Sequence, residues 1–267
     1  MKHRWRQSAA GILAALLMTT SAGAVGATIE IDGTSLSSSE AWIENGTSYV
    51  TLAAFCRETG RTLSWKGSSA QIDGKGLSLE AIFGAIYVLS NDRALYLGEE
   101  VQVVNGRSVL PLRVLADASG ATLSWDWDTA TASLDTQGAV PPQASYDGED
   151  LYWLSRIISA ESKGEPLLGQ IAVGNVVLNR TRSEQFPDTV KEVIFDSQYA
   201  VQFTPVANGT IYQEPTASAV LAAKLCLEGA SVVGDSLYFF APAVSAGSWI
   251  TQNRTYYAAI GNHHFYR

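Results

Sequence analysis

Two glutamates four residues apart, Glu161 and Glu165 in "ISAESKGEPLLGQIAVGNVVLNR" (158–180), are the residues of this chain best placed to do acid–base work. Carboxylates at that spacing on one helix repel mildly, so the glycine between them, Gly164, is read as a corner separating two helices. Leu151, Leu154, Ile157 and Ile158 step along one helical face at intervals of three and four, and Glu161 closes that face. A carboxyl directed toward an interior is poorly solvated. Its pKa rises, and a group that holds its proton at neutral pH meets the requirement for a general acid. The alternative is that Glu161 frays outward in the last turn. Glu165 reads differently. Pro166 and the apolar series Leu168, Ile171, Ala172, Val176 and Val177 start a second helix, and a carboxylate at its N-terminus is favoured by the dipole. Glu165 is therefore expected to be structural first.

Other chemistries lack their residues. There is no G-x-S-x-G elbow, P-loop, G-x-G-x-x-G after a strand, or H-E-x-x-H. Two cysteines and three histidines leave no zinc spacing, so neither a metal nor a cofactor is expected. Cys56 and Cys226 fall in apolar helical patterns and read as buried free thiols. His263 and His264, near the C-terminus, could orient a substrate or cap a loop. Tyr238, Phe239, Phe240, Trp249, Tyr256, Tyr257, Phe265 and Tyr266 crowd the C-terminal region. Such rings stack on sugars, although they also build cores.

The elements that hold these residues form two regions. Lys2, Arg4 and Arg6, the apolar run Ala9 to Met18 and the small-residue stretch Ser21–Ala24 read as a secretory signal over residues 1–24. The alternative is an uncleaved anchor. Removing those three cations leaves 15 basic against 26 acidic residues, near −11. That charge argues against nucleic acid or an anionic lipid surface as partner.

Residues 27–136 contain an internal repeat. "NGTSYVTLAAFCRETGRTLSWK" (45–66) recurs as "NGRSVLPLRVLADASGATLSWD" (105–126). Each copy reads as turn, strand, helix, glycine stop and strand, with Leu52, Phe55 and Cys56 answering to Leu112, Leu115 and Ala116. Trp65 and Trp125 are expected as matched core positions, and no acid or base of this half as catalytic. Residues 137–149, with Pro141-Pro142 and small polar residues, read as a semi-rigid linker. From residue 150 to 267 the pattern is mainly helical, with a third helix expected from Thr216 to Glu228, ended by Gly229.

The repeat resembles the small domain named for the N-terminal region of copper amine oxidases; the resemblance implies a stalk or wall-attachment module that docks to a wall polymer or an accessory protein, and it implies no copper. "LSRIISAESKGEPLLGQIAVGNVVLNR", "FPDTVKEVI", "QFTPVANG", "SLYFF" and "IGNHHFYR" together are similar to the SleB-type, spore cortex-lytic cell wall hydrolases. That resemblance implies a mainly α, lysozyme-like catalytic domain that cleaves peptidoglycan between N-acetylmuramic acid and N-acetylglucosamine, as a lytic transglycosylase or as a hydrolytic muramidase. It implies Glu161 as the catalytic acid. Glu165, Gln170, Gln202, Phe203, Tyr238 and His263 are taken as the residues that bind substrate. The chain departs from the family pattern at Ser162-Lys163, where a small residue and an arginine are usual; the charge is kept but not the planar fork. The expected place of action is outside the cell, at the wall or the spore cortex.

Overall fold

The computed structural model describes residues 27–198 and 202–267. The leader read at residues 1–24 lies outside them.

The N-terminal half is rich in sheet. It runs β1 (Thr28–Ile31), β2 (Thr34–Ser35), β3 (Ala41–Glu44), β4 (Thr47–Thr51), α1 (Leu52–Thr59), β5 (Thr62–Lys66), β6 (Ser69–Gly74), β7 (Leu77–Ile82), β8 (Tyr87–Ser90) and β9 (Arg93–Tyr96). It continues with β10 (Gln102–Val104), β11 (Arg107–Pro111), α2 (Leu112–Ser119), β12 (Thr122–Asp126) and β13 (Thr131–Asp135). The repeated sequence becomes a repeated structure. Asn45-Gly46 and Asn105-Gly106 both turn with positive φ at each residue, as a two-residue hairpin requires. The two copies meet where β4 and β11 pair antiparallel, with Val50 opposite Leu110. Helices α1 and α2 stop at Gly60 (φ 65°) and Gly120 (φ 66°), left-handed positions where a side chain would be strained.

The sheets are ordered β10-β11-β4-β3, β12-β13-β1-β2 and β5-β6-β7-β8-β9. Their inner faces and the two helices enclose Ile31, Leu52, Phe55, Ile72, Leu79, Leu110, Leu112, Leu115 and Leu134, all fully buried. The two tryptophans depart from the matched core positions expected for them. Trp65 is 56% exposed and stacks on Phe83, whereas Trp125 is only partly buried against the core and meets Trp127 edge-on. Both lie on strands whose outer faces stay wet, and periodicity alone does not say which face of an edge strand is covered.

The C-terminal half is built on helices α3 (Gly148–Ser162), α4 (Leu167–Arg180), α5 (Val190–Phe195), α6 (Thr204–Asn208), α7 (Ala217–Leu227) and α8 (Ser248–Asn253). A single 3₁₀ turn, Thr210–Tyr212, follows α6. A three-stranded antiparallel sheet, β14 (Tyr238–Phe240), β15 (Tyr256–Ile260) and β16 (His263–Tyr266), is ordered β14-β16-β15. Asp147 caps α3 by accepting from the N–H groups of Glu149 (2.8 Å) and Asp150 (3.1 Å). Helix α4 is buried on all sides, with Ile171, Ala172, Val173, Val176 and Val177 fully enclosed. It is the central post on which α3 and α7 lean. Thr216 caps α7 through Ala219 N–H, and Gly229 follows the helix with φ 98°. Cys56 and Cys226 are buried and free; burial pushes the Cys56 thiol up to about 11 and raises that of Cys226 as well.

The segment between the halves is no free tether. Ala144 N–H donates to Asn91 O (3.3 Å), and Asn91 Nδ2 to Pro142 O (3.4 Å). Beside it the β8–β9 hairpin docks on α7. Arg93 donates to Glu228 from Nε (3.0 Å to each oxygen) and Nη2 (2.6 Å), and both side chains are under 15% exposed. Lys224 Nζ reaches Asp92 O at 3.2 Å, and Ala94 is fully buried within the apolar cluster of the C-terminal half. Removing Glu228 leaves a desolvated guanidinium without its carboxylate. Glu228→Ala is expected to cost about 2 kcal/mol in urea unfolding; an unchanged midpoint would show that the pair contributes nothing to the docking.

Candidate functional site

Glu161 sits in the last turn of α3, one helical step beyond the fully buried Ile157 and Ile158, and is itself partly buried. Its carboxyl makes no hydrogen bond or ion pair among the described residues. Burial with no compensating partner pushes its pKa up from 4.5 to about 7. It opens into a cleft of about 270 Å³. One wall is α3, through Arg156, Ser159, Ala160 and Glu161, with Lys163 just past its end; the other comes from Thr204, Pro205 and Asn208 of α6, with Thr210 and Gln213. Among the described residues, Glu161 is the one carboxylate in that lining.

The second wall is short but well fixed. Phe203, 2% exposed, anchors the start of α6, and Pro205 stands in the first turn, where its missing N–H costs no hydrogen bond. Asn208 Oδ1 accepts from Thr210 N–H (3.0 Å) and Oγ1 (2.7 Å), which folds the chain into the 3₁₀ turn. Ser159 Oγ of α3 accepts from Thr216 N–H (3.2 Å) and ties the end of this wall to the helix carrying Glu161.

Glu165 has another occupation. It precedes Pro166 and the start of α4, and its side chain turns toward the β15–β16 hairpin. Oε2 accepts from Asn262 N–H at 2.8 Å and Oε1 from Asn262 Nδ2 at 2.9 Å. Desolvation would raise its pKa, but the two Asn262 hydrogen bonds and the nearby His263 ring outweigh it and hold the carboxyl below the usual range. The fit leaves no spare room. A Cβ on Gly261 would lie 2.0 Å from Glu165 Oε2, and Gly261 has φ 58°. Gly261→Ala is therefore expected to break the clasp and cost about 1–3 kcal/mol in urea unfolding; a stability equal to wild type would show the clasp to be dispensable.

The other residues singled out from the sequence do not line the cleft. Gln170, 3% exposed, donates from Nε2 to Glu165 O at 2.9 Å. His263, 7% exposed, stands edge-on to Phe239 with Nδ1 3.9 Å from Glu165; burial lowers its pKa, against the opposing pull of Glu165. Gln202, Phe203 and Tyr238 converge on Arg180, the last residue of α4. Its Nη1 donates to Gln202 Oε1 (3.3 Å), its Nε to Leu237 O (2.8 Å), and its guanidinium lies 5.2 Å from the Phe203 ring and 5.7 Å from that of Tyr238. Burial lowers Arg180 to about 10, so it stays charged. Tyr238 Oη accepts from Arg254 Nη2 at 2.9 Å. Sequence reasoning missed Arg180 and the cleft residues Arg156, Ser159, Thr204 and Gln213. The available signal was a charged residue, Arg156, set between the buried positions Leu154 and Ile157.

Comparison with known proteins accounts for both halves. Residues 164–266 match the cell wall hydrolase family model, and residues 30–134 match the copper amine oxidase N-terminal domain. A spore cortex-lytic enzyme of Bacillus cereus is 39% identical over 120 residues, 45% of this chain and 45% of that protein. The spore cortex-lytic enzyme of Bacillus subtilis (strain 168) is 35% identical over 120 residues, 45% of this chain and 38% of that protein. The chain thus spans less than half the length of these relatives. Among solved structures, the catalytic domain of the germination-specific lytic transglycosylase SleB from Bacillus anthracis is 37% identical; the alignment covers 47% of this chain and all of that one, with a TM-score of 0.43. The chain joins a region that matches the copper amine oxidase N-terminal domain to a C-terminal region that matches the cell wall hydrolase family.

Proposed function

We propose that the chain is an exported enzyme that cleaves the glycan of peptidoglycan at the bond between N-acetylmuramic acid and N-acetylglucosamine, as a lytic transglycosylase. The observation that carries this reading is a cleft with a single carboxylate, held near neutral pKa. Glycosidases of the ordinary kind need two carboxyls flanking the bond. A lytic transglycosylase needs one. Glu161 protonates the glycosidic oxygen as the C1–O bond breaks. The sugar's own 6-hydroxyl then closes on C1, and Glu161, now a carboxylate, takes the proton of that hydroxyl, leaving a 1,6-anhydro end. Glu165, the nearest second carboxylate in sequence, is committed to Asn262 and lies outside the cleft lining, which weighs against a hydrolytic pair.

In this reading residues 150–267 form a lysozyme-like catalytic domain, 137–149 connect it, 27–136 serve as a stalk that attaches to wall polymer or an accessory protein, and 1–24 direct export. Glu165, Gln170, Phe203 and His263 position the cleft walls, and Gln202 and Tyr238 extend the substrate-binding surface around Arg180. The names of the relatives support spore cortex as the substrate. Zymograms loaded with purified cortex and with vegetative wall test this. The chain is expected to clear cortex more strongly; clearing of neither by folded protein would favour an inactive wall-binding protein.

A further inference from the structure

Arg156 stands on the same cleft wall as Glu161, and the glycosidase chemistry does not use it. It is 8% exposed, yet it borders the cleft. Its guanidinium lies 3.8 Å from the Tyr152 ring centroid, and Nη2 donates to Glu214 Oε1 at 2.8 Å. Its Nε is enclosed without a hydrogen-bond partner, and Nη1 makes none among the described residues. A guanidinium oriented by an aromatic face but left with unfilled donors matches a planar carboxylate. Glu214 is a weak substitute for one. Its side chain is 89% exposed, and an ion pair to so solvated a carboxylate contributes little. Lys163 adds a second cation to the lining, against Glu161 as the only acid there among the described residues, in a chain with a net charge of −8. The cleft is thus locally cationic in an acidic protein, and that arrangement favours an anionic ligand.

We infer that Arg156 is a specificity residue that binds a carboxylate carried by the muramic acid of the strand being cut, on its lactyl group or stem peptide, and that Glu214 occupies this position until substrate displaces it. The inference rests on the peptidoglycan reading above. It implies that a muramic acid closed to a neutral lactam is not the sugar read at Arg156.

The test measures binding by calorimetry, with the full chain carrying Glu161→Gln so that nothing is consumed. Three soluble glycan fragments serve as probes: native strands, the same strands with carboxylates converted to amides, and strands stripped of peptide, whose lactyl carboxylates are free. Native strands are expected to bind about tenfold more tightly than amidated ones. Adding Arg156→Gln should reduce that preference below about twofold. Adding Glu214→Gln should tighten native strands about threefold and leave amidated ones unchanged, a gain that misfolding cannot produce. The stripped strands separate the two sources: binding as tight as to native strands shows that a free lactyl carboxylate suffices at Arg156, and a loss equal to amidation assigns the peptide. Equal affinity for native and amidated strands would overturn the inference. So would an Arg156→Gln variant that weakens both alike while Glu214→Gln changes nothing, since Arg156 would then only brace Tyr152. A carboxylate preference in binding, combined with a wild-type chain that cuts no strand, would instead contradict the transglycosylase reading and leave Arg156 standing.

Discussion

Glu161→Gln is expected to abolish muropeptide release, a loss on the order of 10³-fold in kcat/KM, while Glu165→Gln retains a substantial part of wild-type activity. The two carboxylates are four residues apart, but their surroundings separate them. Glu161 faces the cleft, partly buried and without a partner among the described residues. Glu165 spends both oxygens on Asn262. A glutamine at 161 keeps the shape and removes the carboxyl that gives a proton in the first step and accepts one in the second. At 165 it keeps one acceptor oxygen for Asn262. Equal losses in two folded variants would show that the division of labour is wrong. The pH profile carries the same assignment. Glu161 must be protonated to act first as acid, so kcat/KM should fall as pH rises through about 7. A profile flat from pH 5 to 9 would remove Glu161 from that role.

The same substitution is expected to stabilise the protein in alkali. Glu161 is raised from 4.5 to about 7 because the folded chain desolvates it. The folded state therefore holds that proton more tightly than the unfolded chain does. The resulting contribution is fully present below pH 4.5 and is lost as pH rises through 7. At pH 8 the folded wild type carries an unpaired, poorly solvated carboxylate. Glu161→Gln should then be the more stable protein by about 2–3 kcal/mol, a difference that shrinks to nothing near pH 4. Urea unfolding at the two pH values checks it. No gain at pH 8 would mean that Glu161 is well solvated and lacks the proton the mechanism needs. An active-site acid that weakens its own fold is the trade-off expected where function requires desolvation.

How much of this was legible in the sequence follows the range of the interactions concerned. The repeat, the Asn-Gly turns, the glycine stops at Gly60 and Gly120 and the Thr216 cap are local, and local chemistry specifies them. So is the apolar face ending in Glu161. What was not legible spans distance. The clasp between Glu165 and Asn262 joins residues 97 apart, and Arg93 meets Glu228 across 135. Nothing near Pro141 announces that the connecting segment lies against Asn91. Trp65 was misplaced because alternation along a strand identifies two faces without saying which is covered. The far cleft wall is a five-residue helix, too short for periodicity to mark, so Thr204, Pro205 and Asn208 appear as a site only when folded beside α3. Arg156 was visible as an anomaly, a charge within an apolar run, but its open donors belong to the three-dimensional cleft.

The central claim is that one carboxylate, Glu161, carries the whole reaction. The most direct measurement is mass spectrometry of the muropeptides released by the full chain from purified cortex. Fragments ending in 1,6-anhydromuramic acid, one water lighter than reducing ends and absent after Glu161→Gln, are the predicted result. Reducing muramic acid ends would contradict it, because water would then have needed a second base.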